Sequence, residues 1–163
     1  LGNRAIRTLA DTSVNDASRR MQFRELFLLG FDVNTLSRYA IGRYWRKASK
    51  DERSEYQQLF TDFIVGTYAA RFGQYSGEKF AVTGERAVKG KDTIVQSEII
   101  RPAGAPVRVD WRVRLRKNGY KVVDIIVEGV SMAITQREEF ASVIRRNGGK
   151  VEGLISVLRS KTR

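Results

Sequence analysis

Apolar residues recur every three to four positions through the first half of the chain, which is the spacing of one face of an α-helix. Asp16 can begin a first helix and Asp32 can cap a second, because aspartate is favoured at helix starts. The first segment is apolar over most of its circumference, so we expect a helix that is buried on several sides. Its large apolar residues are Phe23, Leu26, Phe27, Leu28, Leu29 and Phe31.

The best-defined element is a third helix that follows Ser49. Ser49 and Glu52 have the spacing of a capping box, in which each side chain accepts from the other residue's backbone N–H. The apolar stripe behind it continues until "GQYSGE" breaks the pattern at residues 73–78. The stripe consists of Tyr56, Leu59, Phe60, Phe63, Ile64, Thr67, Tyr68 and Phe72.

After Gly77 the apolar period changes to that of β-strands. Strands are predicted at residues 79–88, 92–101, 106–117 and 120–129, joined by the turns "KGKD", "PAGAP" and "KNG". Sequential strands with short connections indicate an antiparallel meander.

Helical spacing returns after the last strand. Thr135 and Glu138 have the spacing of a second capping box, and Gly148-Gly149 predicts a helix end before one more helix. We therefore expect a single α+β domain over residues 1–163, with helices at about 3–75, a sheet at about 79–129 and helices at about 135–161. The sheet, an antiparallel meander of about four strands, should pack one face on a layer of helices from both ends of the chain.

The strand at 106–117 has two chemically opposite faces. One face carries Val107, Val109, Trp111, Val113 and Leu115, and the other carries Arg108, Asp110, Arg112, Arg114 and Arg116. An ordinary half-buried strand with a solvated outer face would show the same alternation. Arginine also binds phosphate and carboxylate as a bidentate fork, so the arginines are candidates for docking an anionic partner. These partner-docking candidates are Arg108, Arg112, Arg114 and Arg116.

Composition narrows the classes of function. Thirty Lys+Arg against 18 Asp+Glu give a formal net charge of +12, which favours nucleic acid, a phospholipid surface or an acidic protein as partner. The sequence has no cysteine and no histidine, which excludes thiol chemistry, thiolate metal sites and imidazole catalysis. We expect no metal site and no cofactor, and the alternative that these absences leave open is a metal site built from carboxylates alone.

Two features of the sequence are candidates for a catalytic site. Ser131 lies in "GVSMA", one residue short of a nucleophile elbow, but no histidine is present to act as its base. We interpret this segment as a strand end that turns into a helix. Asp124 and Glu128 are four residues apart and would share one side of a strand, yet pairing with nearby arginines is the simpler interpretation. We therefore expect no enzyme activity.

"GRYWRK", at residues 42–47, interleaves aromatic and cationic residues as single-stranded nucleic-acid platforms do. On a helix, Tyr44 and Trp45 would point about 100° apart and would not form one stacking surface. A basic nucleic-acid-binding domain stays the alternative, although no recognised binding motif is present.

No run of about 18 apolar residues predicts a membrane span. The first residues lack the basic and apolar tract of a signal peptide, so we expect that any such peptide has been removed or lies outside this sequence. The absence of cysteine is compatible with export.

Five segments together resemble the MlaC family of periplasmic phospholipid-binding proteins, often described as toluene-tolerance proteins. They are "FRELFLLGFD", "IGRYWRKAS", "TYAARFGQYSGE", "VDWRVR" and "VDIIVEGVSMAITQREEFASVI". The similarity runs from about Leu9 to Arg159, and its most specific part is G-V-S-M followed by T-Q-R-x-E-F.

The resemblance implies a periplasmic shuttle that carries phospholipid between an outer-membrane lipoprotein complex and an inner-membrane ABC transporter, and so maintains outer-membrane lipid asymmetry. It further implies a monomer that touches membranes transiently, binds no nucleic acid and holds acyl chains between sheet and helices, with phospholipid as cargo instead of a cofactor. Our candidates for the lipid pocket are Phe60, Ile64, Tyr68, Phe72, Val107, Val109, Trp111, Val113 and Ile126.

Overall fold

The computed structural model describes residues 4, 7, 13–72 and 77–162, and only the backbone of residues 71 and 72. The parts of the predicted helical region at 3, 5–6, 8–12 and 73–75 lie outside the described residues. Within the described residues the helices are α1 (Asp16–Gly30), α2 (Val33–Ile41), a 3-10 helix (Gly42–Arg46), α3 (Lys50–Phe72), α4 (Met132–Arg146) and α5 (Val151–Lys161). The strands are β1 (Lys79–Ala87), β2 (Asp92–Ile100), β3 (Val107–Arg116), β4 (Gly119–Val127) and β5 (Val130–Ser131).

The predicted α+β fold with an antiparallel meander is confirmed. The strands lie in the order β1-β2-β3-β4-β5, and each pairs antiparallel with the next. The sequence indicated about four strands, because β5 has two residues and is too short to show alternation.

Two of the predicted helix starts are confirmed by their hydrogen bonds. The Asp32 carboxylate accepts from the Thr35 N–H at 2.9 Å. In the capping box before α3, the Ser49 N–H donates to Glu52 at 2.7 Å and the Glu52 N–H donates to the Ser49 hydroxyl at 3.2 Å.

The predicted capping box at Thr135 is wrong. Helix α4 begins at Met132, and its cap is the Ser131 hydroxyl, which accepts from the Ile134 N–H at 3.1 Å. Thr135 lies inside the first turn and donates its hydroxyl to the Ser131 carbonyl. The helix starts earlier because β5 ends at Ser131 and leaves that residue extended, which is the conformation of a cap.

The helices share one core that is distinct from the sheet. Its aromatic centre is formed by Tyr56, Phe60 and Phe140, whose ring centroids lie 6.0–6.3 Å apart. Ile144, Leu154 and Ile155 pack in the same cluster, and each is at most 1% exposed. This cluster has the complete burial of a close-packed interior.

The link between α1 and α2 pairs with the part of the β4 edge that β5 does not cover. Phe31 forms a parallel bridge with Val122, and the Asp32 N–H donates to the Val122 carbonyl at 2.9 Å. Without this hydrogen bond the Val122 carbonyl would be unpaired at the edge of the sheet. The bond also holds the end of α1 beside the sheet.

The expectation that α1 is buried on several sides is wrong. Leu26 and Phe27 are buried, but Leu28 is 46% exposed and Leu29 is 60% exposed. An apolar circumference is buried only where other elements surround the helix. None of the described helices combines the length and the hydrophobicity that a membrane crossing requires.

Candidate functional site

The candidate site is one face of the sheet, which we call the apolar sheet face. The strand registers pair Ile99 with Val107, Val95 with Trp111 and Trp111 with Ile125, and directly paired residues point to the same side. The apolar sheet face comprises Phe80, Val95, Ile99, Val107, Val109, Trp111, Val113, Val122, Ile125 and Val127.

Most of these side chains are only half-buried. Val109 and Val122 are each 5% exposed, whereas the other eight keep an intermediate exposure. By comparison, the side chains at the centre of the helical core are almost completely buried. The apolar sheet face therefore keeps accessible apolar surface of the kind that lines ligand pockets.

An aromatic row crosses this face from α1 towards β1. The ring centroids are 4.6 Å apart for Phe27 and Phe31, 6.5 Å for Phe31 and Trp111, and 6.0 Å for Trp111 and Phe80. Sequence reasoning missed Phe31 and Phe80 as lining residues. The alternating pattern of residues 79–88 could have predicted that Phe80 lies on this face. The position of Phe31 follows only from its contact with the edge of β4.

The polar groups on this face satisfy one another. The indole N–H of Trp111 donates to the Ser97 hydroxyl at 2.9 Å, and that hydroxyl donates to the Val109 carbonyl at 2.6 Å. Ser97 is 0% exposed, so its chain of hydrogen bonds leaves the indole with only its apolar part to offer a ligand.

The expectation that Ile126 shares the face of Val109 is wrong. A β-bulge in β4 shifts the register after the Val113–Val122 pair, so that Arg112 pairs with Asp124 and Asp110 pairs with Ile126. One extra residue reverses the side on which every later residue of the strand points. Ile125 therefore takes the place that Ile126 would have had on the apolar sheet face.

The four helix residues predicted for the pocket do not form one group. Phe60 is 3% exposed inside the helical core, and Ile64 packs against that core half-buried. Tyr68 is half-buried further along α3, and the side chain of Phe72 lies outside the described residues. Helix α3 packs mainly on α1, α2 and α5 and only sparsely on the described strands.

The opposite face carries the predicted docking arginines, and three of the four have carboxylate partners. Arg114 forms two hydrogen bonds with Asp92, at 2.6 and 2.9 Å. Arg116 contacts Asp32 at 2.7 Å, and Arg108 lies 3.7 Å from Asp110. The Arg114 hydrogen bond lowers the pKa of the Asp92 carboxyl, and Asp92 in turn raises the pKa of Arg114. Arg112 is exposed and has no hydrogen bond or salt bridge within the described part of the chain.

Ser131 and Asp124 form a structural connection. The Ser131 hydroxyl donates to Asp124 at 2.6 Å, and the same carboxylate accepts from the Ala133 N–H at 3.0 Å. These bonds tie β4 to the first turn of α4, which confirms the interpretation of a strand end that turns into a helix. Glu128 follows the end of β4 and accepts from the Arg108 N–H. The described residues contain no group of acidic side chains that could hold a metal ion.

The aromatic residues of "GRYWRK" are not an open stacking platform. Tyr44 is 5% exposed in the helical core. The guanidinium groups of Arg38 and Arg53 lie over the Trp45 ring, at 5.3 and 5.2 Å from its centroid. These cation–π contacts occupy the surface on which a base would stack.

A cleft of about 500 Å³ lies where the β3–β4 turn approaches α1 and α2. Its apolar wall is Leu28, Phe31 and Val33, and its polar rim includes Arg116, Lys117 and Lys121. Because the Phe31 ring also contacts Trp111, this cleft adjoins the apolar sheet face.

A solved structure with a similar fold is a phospholipid-binding protein from Ralstonia solanacearum, determined in complex with a phospholipid. It superposes with a TM-score of 0.85 at 26% sequence identity, over 98% of this chain and 91% of that chain.

Among curated relatives, a toluene tolerance protein of Pseudomonas putida, ttg2D, is 25% identical over 113 residues, which are 69% of this chain and 53% of that protein. The intermembrane phospholipid transport system binding protein MlaC of Haemophilus influenzae is 25% identical over 112 residues, 66% of this chain and 52% of that protein. The chain thus aligns with about half the length of these relatives. The family model described as MlaC protein matches residues 2–160, and the chain therefore belongs to the MlaC family.

Proposed function

We propose that this protein binds a phospholipid with its acyl chains on the apolar sheet face and carries it as a non-enzymatic periplasmic shuttle. The observation that carries the proposal is the half-buried apolar sheet face, which lies beside a fully packed helical core. The relative named for intermembrane phospholipid transport and the phospholipid complex of the structural neighbour support the same ligand class.

A phospholipid site must compensate the free energy that acyl chains gain by staying in the membrane. Two acyl chains with roughly 30 methylenes gain on the order of 24 kcal/mol on leaving water, at about 0.8 kcal/mol each. A shuttle must offer a surface nearly as apolar as the membrane, or the lipid stays where it is. The hydroxyl of Ser97 and the indole N–H of Trp111 contribute to such a surface, because both are hydrogen-bonded within the protein.

The proposal assigns acyl-chain contact to Val107, Val109, Trp111 and Val113 of β3. Tyr68 would extend the lining from α3, while Phe60 and Ile64 would support it from the helical core. The charged head group would remain at a solvated mouth, since burying it unpaired is costly. We further propose a single lipid-binding domain that acts as a monomer.

The partners in this proposal are an outer-membrane lipoprotein complex and an inner-membrane ABC transporter. Because Arg108, Arg114 and Arg116 already have carboxylate partners, Arg112 is the arginine of β3 that is best placed to meet an acidic partner surface.

The test is the lipid content of protein purified without detergent. Organic extraction followed by mass spectrometry should find phospholipid at close to one molecule per chain, because an apolar site would not stay empty in a lipid-rich compartment. Protein that carries no lipid, and takes up none after incubation with phospholipid vesicles, would contradict the proposal.

A further inference from the structure

Four large apolar side chains are exposed where α1 ends and where β3 turns into β4. Leu28 is 46% exposed, Leu29 60%, Leu115 57% and Tyr120 64%. Leu115 and Tyr120 are directly paired across the hairpin, so their side chains lie on the same side of it.

The end of α1 lies against the hairpin, and both sides of the hairpin contribute to this region. Leu115 and Tyr120 share the side of Val113, whereas Lys121 pairs with Arg114 on the other side. The Lys121 ammonium donates to the Leu29 carbonyl, which joins β4 to the last turn of α1. Leu28 lines the cleft together with Lys117 and Lys121. We call this region the tip surface, and it consists of Leu28, Leu29, Leu115, Lys117, Tyr120 and Lys121.

The charge at this end of the sheet is strongly positive. Because Asp92 pairs with Arg114, the β1–β2 turn lies at the same end as the β3–β4 turn. Residues 88–92 and 114–121 contain six cations and a single carboxylate, Asp92. Asp92 neutralises Arg114 and Asp32 neutralises Arg116, so the remaining charge is that of Lys89, Lys91, Lys117 and Lys121.

Exposed leucine and tyrosine side chains among lysines suit the interface of an anionic bilayer. Leucine can enter the boundary of the acyl chains, tyrosine is favoured at head-group depth, and lysine contacts phosphates while its stem lies along apolar surface. An acidic protein surface would satisfy the lysines but would leave the exposed apolar side chains without matching partners.

We propose that the tip surface docks this protein directly on anionic phospholipid bilayers. Leu28, Leu29, Leu115 and Tyr120 enter the interface, and the neighbouring lysines bind lipid phosphates. The inference rests on the proposed function, since a shuttle must reach a membrane surface to exchange its cargo.

The position of the tip surface fits such an exchange. Leu115 follows Trp111 and Val113 on the same side of β3, so the tip surface continues into the apolar sheet face. The Phe31 ring, which lines the cleft together with Leu28, also contacts Trp111 of the apolar sheet face. A lipid that leaves the bilayer at the tip would therefore meet apolar side chains from the first step.

The experiment measures co-sedimentation of the full chain with vesicles of phosphatidylcholine alone or mixed with phosphatidylglycerol, over a salt series. Wild-type protein should bind the anionic vesicles, and the binding should weaken as salt rises. The double change Leu115→Glu with Tyr120→Glu should weaken binding by at least about tenfold. Lys117→Gln should weaken it about fivefold.

Matched controls come from the opposite end of the sheet. Ile100 of β2 is 40% exposed there, and it pairs with the exposed Lys79 of β1. Ile100→Glu and Lys79→Gln should leave vesicle binding unchanged. Leu28→Ser with Leu29→Ser tests the tip surface independently on α1, in case the hairpin variant unfolds, and should also weaken binding.

Absence of wild-type binding to anionic vesicles at low salt would overturn the inference. Equal losses in the tip variants and in the Ile100→Glu and Lys79→Gln controls would also overturn it, because they would indicate attraction by net charge alone. If the tip changes matter only on vesicles that carry a partner complex, the surface docks an acidic protein and the bilayer assignment fails. Lipid content is measured separately by extraction, so a protein that binds vesicles at its tip but never carries lipid would refute the proposed function alone.

Discussion

At the residue scale, the charges of β3 are governed by their cross-strand and edge partners. Asp92 is 8% exposed, and its two hydrogen bonds with Arg114 keep a buried carboxylate paired. Such a pair is costly to break on one side, because the remaining charge keeps its desolvation penalty.

Asp92→Asn should reduce stability in a pH-dependent way. The Arg114 hydrogen bond lowers the pKa of Asp92 from 3.8, so its stabilisation is fully present above the unfolded-state pKa and is lost as pH falls through the lower folded-state value. We expect the variant to lose about 1–3 kcal/mol of unfolding free energy at pH 7, and less below about pH 4. Urea unfolding at several pH values measures this. Glu85→Gln, at an exposed position of β1, is the control, and a loss for Asp92→Asn that is constant across pH would refute the assignment.

Val109→Glu should lower bound phospholipid more than Ile100→Glu, because Ile100 is 40% exposed on the opposite side of the sheet. Val109 is 5% exposed on the apolar sheet face, where a carboxylate would meet acyl chains and find no water. Extraction of lipid from both glutamate variants measures the effect, with thermal unfolding as a check of folding. Val113→Glu, at a half-buried position on the same face, is the second variant if Val109→Glu unfolds. Full lipid content in a folded Val113→Glu protein would show that acyl chains lie elsewhere.

At the element scale, the bulge in β4 determines which of its side chains lie on each face of the sheet. This bulge turns Ile125 to the apolar sheet face and Asp124 to the side of Arg112. Asp124 can then accept from Ser131 and Ala133 and hold the start of α4. A regular β4 would place this carboxylate among apolar side chains.

Ser131→Ala should destabilise α4 without changing the lipid content. The variant removes the hydroxyl that caps the helix and binds Asp124, and cap losses cost about 1 kcal/mol. Chemical denaturation and lipid extraction are the two measurements. Ser156→Ala, on the exposed side of α5, should show no comparable loss. Loss of bound lipid or of transfer from a folded Ser131→Ala protein would instead indicate a direct role for the hydroxyl.

At the scale of the whole molecule, the proposed shuttle function requires contacts with partners that form and break repeatedly. Electrostatic attraction provides fast association that salt can weaken. Arg112 is exposed and carries no salt bridge within the described residues, so it can meet a partner without first breaking an internal pair.

Arg112→Glu should leave bound phospholipid in place but slow its delivery, most clearly at low ionic strength. The assay follows labelled phospholipid from the loaded protein to vesicles that contain the proposed partner, an inner-membrane ABC transporter, across a salt series. Lys150→Glu, an equal change of charge in the α4–α5 loop, is the control and should have a smaller effect. Equal rates for wild type and Arg112→Glu at every salt concentration would show that Arg112 is only solvated surface.

Local sequence patterns were sufficient to predict the fold class, most element positions and the two faces of β3. These follow from local patterns, since the spacing of apolar residues and the capping residues act within a few positions of one another. The apolar residues Val107, Val109, Trp111 and Val113 were predicted correctly to share a side, because β3 itself is regular.

The environment of each face depends on contacts between distant parts of the chain. The bulge in β4 has no local signature, so alternation alone assigned Ile126 to the wrong side. The partners of Arg114 and Arg116 lie 22 and 84 residues away in the chain. The exposure of Leu28 and Leu29 likewise depends on which elements surround α1. Periodicity shows which side chains can share a face, but burial and pairing depend on segments that meet only when the chain folds.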